Sequence, residues 1–246
     1  MRRHFVHFLW GSLLAILGVI TVFFISVWNG WVGYMPNMDE LSNPIDKFAS
    51  QVYSSDQQLI GTWNADNNNR VAIDYNGLSP HLVHALVATE DERFYEHSGV
   101  DFIALGRAVV KRGVMGQASA GGGSTITQQL AKQLFSEKAH STVERLLQKP
   151  IEWIIAVKLE RHFTKEEILA MYFNYFDFLH NAVGIKRAAN VYFNKEPRKL
   201  TVTEAAMLVG LCKNPSMFNP LRYPERCKQR RNVVLMQMVK SGYVTK

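Results

Sequence analysis

The sequence predicts a mainly helical protein: one helical domain behind a single N-terminal membrane-spanning helix, with a small β element between them. Three observations carry this. Phe8 to Val27 is an uncharged apolar run of about 20 residues, which at about 1.5 Å per residue matches a hydrocarbon core roughly 30 Å thick. Val52 to Trp63 and Arg70 to Tyr75 read as short strands around a polar Asn64 to Asn69 loop. From Ser79 onward the apolar residues recur at helical spacing, with breaks at Gly99, Gly113 to Gly123, Lys195 to Leu200 and Asn214 to Pro220. The expected divisions are 1–34 for the N-terminus and anchor, 35–78 for the linker and β element, and 79–246 for the helical domain.

Taking the elements in order, Arg2 and Arg3 precede the apolar run and, by the positive-inside tendency, keep the N-terminus in the cytoplasm with the remainder outside. A cleaved leader competes with an anchor. The run is long for a leader, and Trp28-Asn29-Gly30-Trp31-Val32-Gly33-Tyr34 has the aromatic character of a membrane interface instead of a small-residue cleavage site, so an uncleaved anchor is expected. Met35 to Asn43 is a polar, Pro-containing linker.

The 246 residues, 47% hydrophobic, suffice for one sizeable domain plus an appendage. The net charge of +7 is a poor sign of nucleic acid in a domain that lies outside the membrane; anionic lipid headgroups or a pyrophosphate-bearing ligand are the better partners. Cys212 and Cys227 lack metal-like companions, and free thiols or one bridge both remain open. His81 and His84 stand at helical spacing without a matching carboxylate cluster, so no protein-only metal site is expected.

Ser79-Pro80 reads as N-cap and first helical position, and the helix it opens turns Leu82, Ala85 and Leu86 inward. Glu90 therefore arrives at the edge of a core, with Phe94 and Tyr95 close behind. Desolvation there would disfavour the charged carboxylate and raise its pKa from the ordinary value of about 4.3, toward the range of a general base. An acidic run of this kind is more often a solvated turn, so Glu90 needs support from elsewhere in the chain.

Gly121-Gly122-Gly123-Ser124-Thr125 lacks the Lys of a nucleotide-binding loop. Thr125 with Gln128 has the form of a capping box, and the amides of such a helix start can hold an anion. Ile126, Leu130 and Leu134 share a core face, while Thr125, Gln129 and Lys132 share another. Further on, Gln148, Glu152, Ala156 and Glu160 step by four along one helix. Ile151, Trp153, Ile154, Ile155, Val157 and Leu159 make the rest of that helix apolar, so Glu152 should face a cleft or a partner.

These motifs, in this order, resemble the peptidoglycan glycosyltransferases, whether monofunctional or as the polymerase domain of class A penicillin-binding proteins. The resemblance rests on Glu90-Asp91-x-x-Phe94-x-x-His97-x-Gly99; Gly122-x-Ser124-Thr125-Ile126-x-Gln128-Gln129-Leu130-x-Lys132; Lys149-x-x-Glu152 with Ala156 and Glu160; and Glu167-Ile168-Leu169-x-x-Tyr172-x-Asn174 with Gly184-Ile185. Glu204-Ala205-Ala206 through Asn214-Pro215-Ser216 and Arg230-Arg231 complete it. It implies a lysozyme-like fold with a hydrophobic membrane-facing part, and polymerisation of lipid II. Glu90 would take the proton from the acceptor's 4-hydroxyl, and Glu152 would be the second essential carboxylate. Asp91, Arg93, Ser124, Gln128, Gln129, Lys132, Lys149 and Arg231 would contact the substrate. A divalent cation, Mg or Mn, can accompany the substrate pyrophosphate in such enzymes.

The implied setting is the bacterial inner membrane, with the domain on the extracytoplasmic side, beside a lipid-linked glycan chain and membrane lipids. No Ser-x-x-Lys or Lys-Thr-Gly occurs in the chain, so a separate transpeptidase is an expected partner. Several positions depart from the family pattern: Gln133 replaces Asn, Gln148 replaces Arg, and Leu179 and Asn194 replace glycines. A glycan-cleaving enzyme of the same fold and a non-catalytic scaffold are the competing readings.

Overall fold

The computed structural model describes residues 2–37, 40, 50–56, 59–63, 71–111, 122–136 and 141–245. Its elements are α1 (Arg2–Trp28), β1 (Ser50–Tyr53), β2 (Leu59–Trp63), α2 (Pro80–Glu90), α3 (Phe102–Val109), α4 (Ile126–Phe135), α5 (Thr142–His162), α6 (Lys165–Tyr175), α7 (Ile185–Phe193), α8 (Val202–Lys213) and α9 (Pro224–Lys240). The expected mainly helical class holds, and the small β element is a two-stranded antiparallel sheet.

That sheet corrects the expected strand positions. Both strands fall inside the Val52 to Trp63 stretch or just before it, with Ser50 opposite Trp63 and Val52 opposite Gly61. The chain therefore reverses between Tyr53 and Leu59; Asn64 to Asn69, expected as the turn, lie outside the described residues. Val71 to Asp74 forms no strand. Its backbone finds a side chain instead: Asn174 Oδ1 accepts from Ile73 N at 3.2 Å and Asn174 Nδ2 donates to Ile73 O at 2.8 Å. One amide thus supplies both bonds that a neighbouring strand would have made.

α2 begins as expected. Ser79 caps it, accepting from His81 N and donating to Leu200 O, and Pro80 occupies the first turn. α8 and α9 pack along each other and both against α2, while α4 packs against α5 and α6. One core joins the two groups, running through Leu82, Leu86, Ile126, Leu130, Ile155, Leu159, Tyr172 and Phe173. Capping boxes start the central helices α6, from Thr164 and Glu167, and α8, from Thr201 and Glu204. α3 is different in kind: Phe102, Ile103 and Val109 are all exposed on it.

Helix α1 is long and apolar enough to cross a membrane, and none of its most apolar stretch is buried in the protein. Its end is docked. Val27 is fully buried, and the Trp28 ring lies under Lys158 Nζ at 5.0 Å and the Arg161 guanidinium at 5.7 Å. Gly33, at φ +77°, leaves room for Ile151 of α5, whose Cδ1 stands where a Cβ would go. Cys212 and Cys227 are both free and buried, which resolves the open question about a bridge.

Candidate active site

Glu90 is the last residue of α2, so its carboxylate projects from the end of a buried helix. Two donors hold it. Arg230 Nη2 of α9 donates to Oε1 at 3.1 Å, and Gln129 Nε2 of α4 donates to Oε2 at 3.2 Å. The side chain remains 16% exposed, so solvent or a ligand can still reach it. Arg230 was not expected here: it sets a guanidinium directly against the carboxylate.

Gln129 is itself oriented. The Tyr172 hydroxyl donates to Gln129 Oε1 at 3.0 Å, which leaves the NH₂ group for Glu90. Burial, then Cys212 and Glu90 nearby, push the Tyr172 hydroxyl well above the ordinary tyrosine range, so it stays protonated and donates.

The neighbouring Asp91 has a structural task. It is buried, both of its oxygens lie 3.1 Å from His97 Nε2, and Oδ2 accepts from Ile126 N at 3.0 Å. The helix start expected to hold a ligand anion is therefore taken by the chain's own carboxylate. The capping box is only half formed. Thr125 Oγ1 accepts from Gln128 N at 3.1 Å, but Gln128 Nε2 turns to Gly99 O at 3.4 Å. Gln128 is buried, and its Oε1 has no partner among the described residues. Arg93 pairs with Glu96 at 2.8 Å and stands 3.6 Å from Asp101.

A second constellation surrounds Glu152, which is fully buried on α5. Arg145 Nη1 lies 2.5 Å from its Oε1, and Lys149 Nζ lies 2.9 Å from its Oε2. Those cations are about a third exposed, at 33% and 32%. The carboxylate is thus an internal anchor that holds two cations at the surface of the site. Lys149 Nζ also donates to Ser124 Oγ at 3.2 Å, tying the start of α4 to α5. Lys132 sits at the exposed rim. Desolvation, then Arg145 and Lys149, lower its pKa against the opposing pull of Glu152.

Between these groups runs a buried connection. Thr127 Oγ1 donates to Glu160 Oε1 at 2.6 Å, Lys165 Nζ pairs with Glu160 at 2.7 Å, and the same ammonium donates to His97 O at 2.8 Å. Gly99, at φ +92°, packs directly on the α5 backbone at Ala156. The small Ala156 between the two glutamates of the stripe thus marks a point of close approach.

Of the predicted residues, Glu90 and Gln129 meet directly, and Glu152, Lys149 and Ser124 form a second group with Lys132 beside it. Arg231 does not join them: it bonds Asn232 Oδ1 at 2.9 Å, while the adjacent Arg230 reaches Glu90. Sequence reasoning also missed Arg145, and it named Tyr172 only within a motif, with no role at the site. Arg145 had a legible signal, because it precedes Glu152 by seven residues on one helix and so shares its face.

Among the described residues no group of three His, Cys, Asp or Glu side chains converges. Glu90 and Glu152 are each paired with a cation, and Asp91 is spent on His97 and a helix amide. Each of these carboxylates thus already has a cationic or N–H partner within the chain.

Residues 56–239 match the family model described as Transglycosylase. The chain is 39% identical over 236 residues to penicillin-binding protein 1A of Aquifex aeolicus, covering 96% of this chain and 31% of that protein. It is 40% identical over 211 residues to penicillin-binding protein 1A of Escherichia coli, covering 86% and 24%. It is 42% identical over 177 residues to penicillin-binding protein 1F of Bacillus subtilis, covering 72% and 24%. The chain thus spans about a quarter to a third of the length of these relatives. The family match takes in most of the chain, which therefore belongs to the transglycosylase family, the peptidoglycan glycosyltransferases found in class A penicillin-binding proteins.

Proposed function

We propose that this chain polymerises lipid II into glycan strands on the extracytoplasmic side of the bacterial inner membrane, with Glu90 as the general base. The observation that carries the reading lies on α4. Gln129, which holds the Glu90 carboxylate, and Lys132, which stands beside Arg145, Lys149 and Glu152, are three residues apart and so share a helix face. A proton acceptor and a group of cations thereby border one surface.

In the proposed reaction the acceptor's 4-hydroxyl oxygen forms a bond to the donor's anomeric carbon, and its proton passes to Glu90. The bond from that carbon to the pyrophosphate oxygen breaks, the electron pair leaves with undecaprenyl pyrophosphate, and the centre inverts. Negative charge grows on the pyrophosphate, and Lys132, Arg145 and Lys149 are the groups that neutralise it. Such a leaving group needs no proton, unlike the sugar oxygen expelled in glycan cleavage.

Glu152 acts in this reading by holding Arg145 and Lys149 in place. Gln148, standing where the family usually has Arg, accepts from Arg145 Nη1 at 3.1 Å, so Arg145 supplies a cation in this neighbourhood. The test is incubation of the detergent-solubilised chain with labelled lipid II beside a Glu90→Gln variant. The expected result is high-molecular-weight glycan from the parent and a loss of about 100-fold or more in the variant. Polymer formed equally by both would remove Glu90 from the mechanism. Release of muropeptides from sacculi in place of polymer would mean glycan cleavage.

A further inference from the structure

We infer that Tyr172 is a positioning residue for the general base: through Gln129 it dictates that Glu90 meets an N–H donor and never an amide carbonyl. The inference rests on the proposed role of Glu90.

The geometry runs in one direction. Tyr172 is fully buried on α6, and its hydroxyl lies 3.0 Å from Gln129 Oε1. A tyrosine hydroxyl that stays protonated in such a place needs an acceptor: the Gln129 amide oxygen is the strong one within reach, and the Cys212 sulfur beside it, whose own proton goes to Leu208 O, is a weak one. With Oε1 engaged, Nε2 is committed to Glu90 Oε2 at 3.2 Å. The reverse amide orientation would set two N–H groups against the tyrosine hydroxyl and turn the carbonyl oxygen toward the carboxylate.

That reversal would matter for proton transfer. An N–H donor favours the ionised carboxylate, whereas a carbonyl oxygen would accept a hydrogen bond from a protonated Glu90 and stabilise the spent form. The two oxygens of Glu90 are also made unequal. Oε1 faces the Arg230 cation at 3.1 Å, while Oε2 faces a neutral amide. Oε2 is thus the more basic oxygen and the one assigned to receive the acceptor's proton.

The charged and titratable groups around this chain of contacts come from each packed helix. Arg230 enters from α9, Cys212 from α8 and Tyr172 from α6, with Gln129 from α4 as the neutral link. Burial raises the Cys212 thiol well above its ordinary range, with a further push from Glu90, so it stays neutral. None of these groups replaces the tyrosine as the donor to Gln129 Oε1.

The test is the pH profile of lipid II polymerisation by the full detergent-solubilised chain, compared for the parent, Tyr172→Phe, Gln129→Met and the double variant. Tyr172→Phe removes one oxygen and frees the amide to turn. Its acid limb should move up by about one pH unit, a tenfold loss of rate on the sloping part of the profile. In the Gln129→Met background the same substitution should move nothing further, because its route to Glu90 is gone. Should Tyr172→Phe fail to fold, Gln129→Met alone must still raise the acid limb.

An unchanged acid limb in Tyr172→Phe, or an equal shift in both backgrounds, would overturn the inference while Glu90→Gln remained inactive. A Glu90→Gln variant that polymerises normally would instead overturn the base itself, and the two failures are thereby told apart.

Discussion

Gly99→Ala offers a direct measure of how tightly the loop after Glu90 is pressed onto α5. A Cβ at Gly99 would stand 2.8 Å from both the carbonyl carbon and oxygen of Ala156, and 2.9 Å from Val157 N. All three are backbone atoms of a buried helix, so no rotamer change can clear them. The residue also sits at φ +92°, which costs a side-chain-bearing residue about 1–3 kcal/mol. Overpacking adds about 1–3 kcal/mol. The Gly99 carbonyl accepts from Thr125 Oγ1 at 2.7 Å and Gln128 Nε2 at 3.4 Å, so a displaced loop also strains the start of α4. Together these predict a loss of about 4 kcal/mol, or a Tm lower by about 8–16 °C for a chain of this size. Thermal unfolding in detergent reads it directly. Gly106→Ala, in an exposed turn of α3 with nothing within 4 Å, is the control and should change stability by no more than about 1 kcal/mol. Ala156→Gly should not rescue Gly99→Ala, because the clash is with backbone. A Gly99→Ala protein melting within about 2 °C of the parent would refute the close approach.

Four further outcomes are expected. Glu152→Gln leaves Arg145 and Lys149 without their buried counter-charge, and because both cations are about a third exposed it should cost about 1.5–3 kcal/mol, measured by denaturant unfolding. Desolvation, with Arg145 nearby, lowers the Lys132 pKa from the ordinary lysine range, so the part of inorganic pyrophosphate binding that depends on its ammonium should be present at lower pH and weaken as pH rises through that lowered value; titration calorimetry should show Lys132→Met losing this limb. Leu179 occupies a left-handed conformation at φ +66° where the family pattern has glycine, and Leu179→Gly should raise stability by about 1 kcal/mol, as seen in Tm. The native chain should react with a thiol reagent far more slowly than the unfolded chain, since both cysteines are buried and both thiols have raised pKa values.

Local chemistry was legible in the sequence wherever a residue and its partner lie within a few turns of helix. Ser79 and Pro80 marked the start of α2, and the four-residue step from Gln148 to Glu160 marked a buried face. Pairings across the chain were not legible. Arg230 meets Glu90 from 140 residues away, and nothing in Arg230-Arg231 says which of the two faces inward. Packing decides it: a Cβ at Gly210 of α8 would lie 3.2 Å from Arg230 Cγ, so a bare glycine admits that arginine. The half-formed capping box failed for a related reason. Asp91, 35 residues earlier, takes the Ile126 amide, and Gln128 goes to Gly99. Within the expected second strand, Val71 to Asp74 pairs instead with a single distant amide, that of Asn174.

The contact between α1 and α5 sets a mechanical condition on the site. Ile151, which fills the space left by Gly33, is the immediate neighbour of Glu152, and Lys158 and Arg161 grip Trp28 from the same helix. The helix that carries the cation group therefore stands directly on the foot of the apolar helix, with no slack tether between them. If α1 spans the bilayer, the height of Arg145 and Lys149 above the membrane plane is set to within a side chain's length. A headgroup that cannot leave the lipid surface would then be met at its own level, and lengthening the 29–33 segment would lift the site away from it.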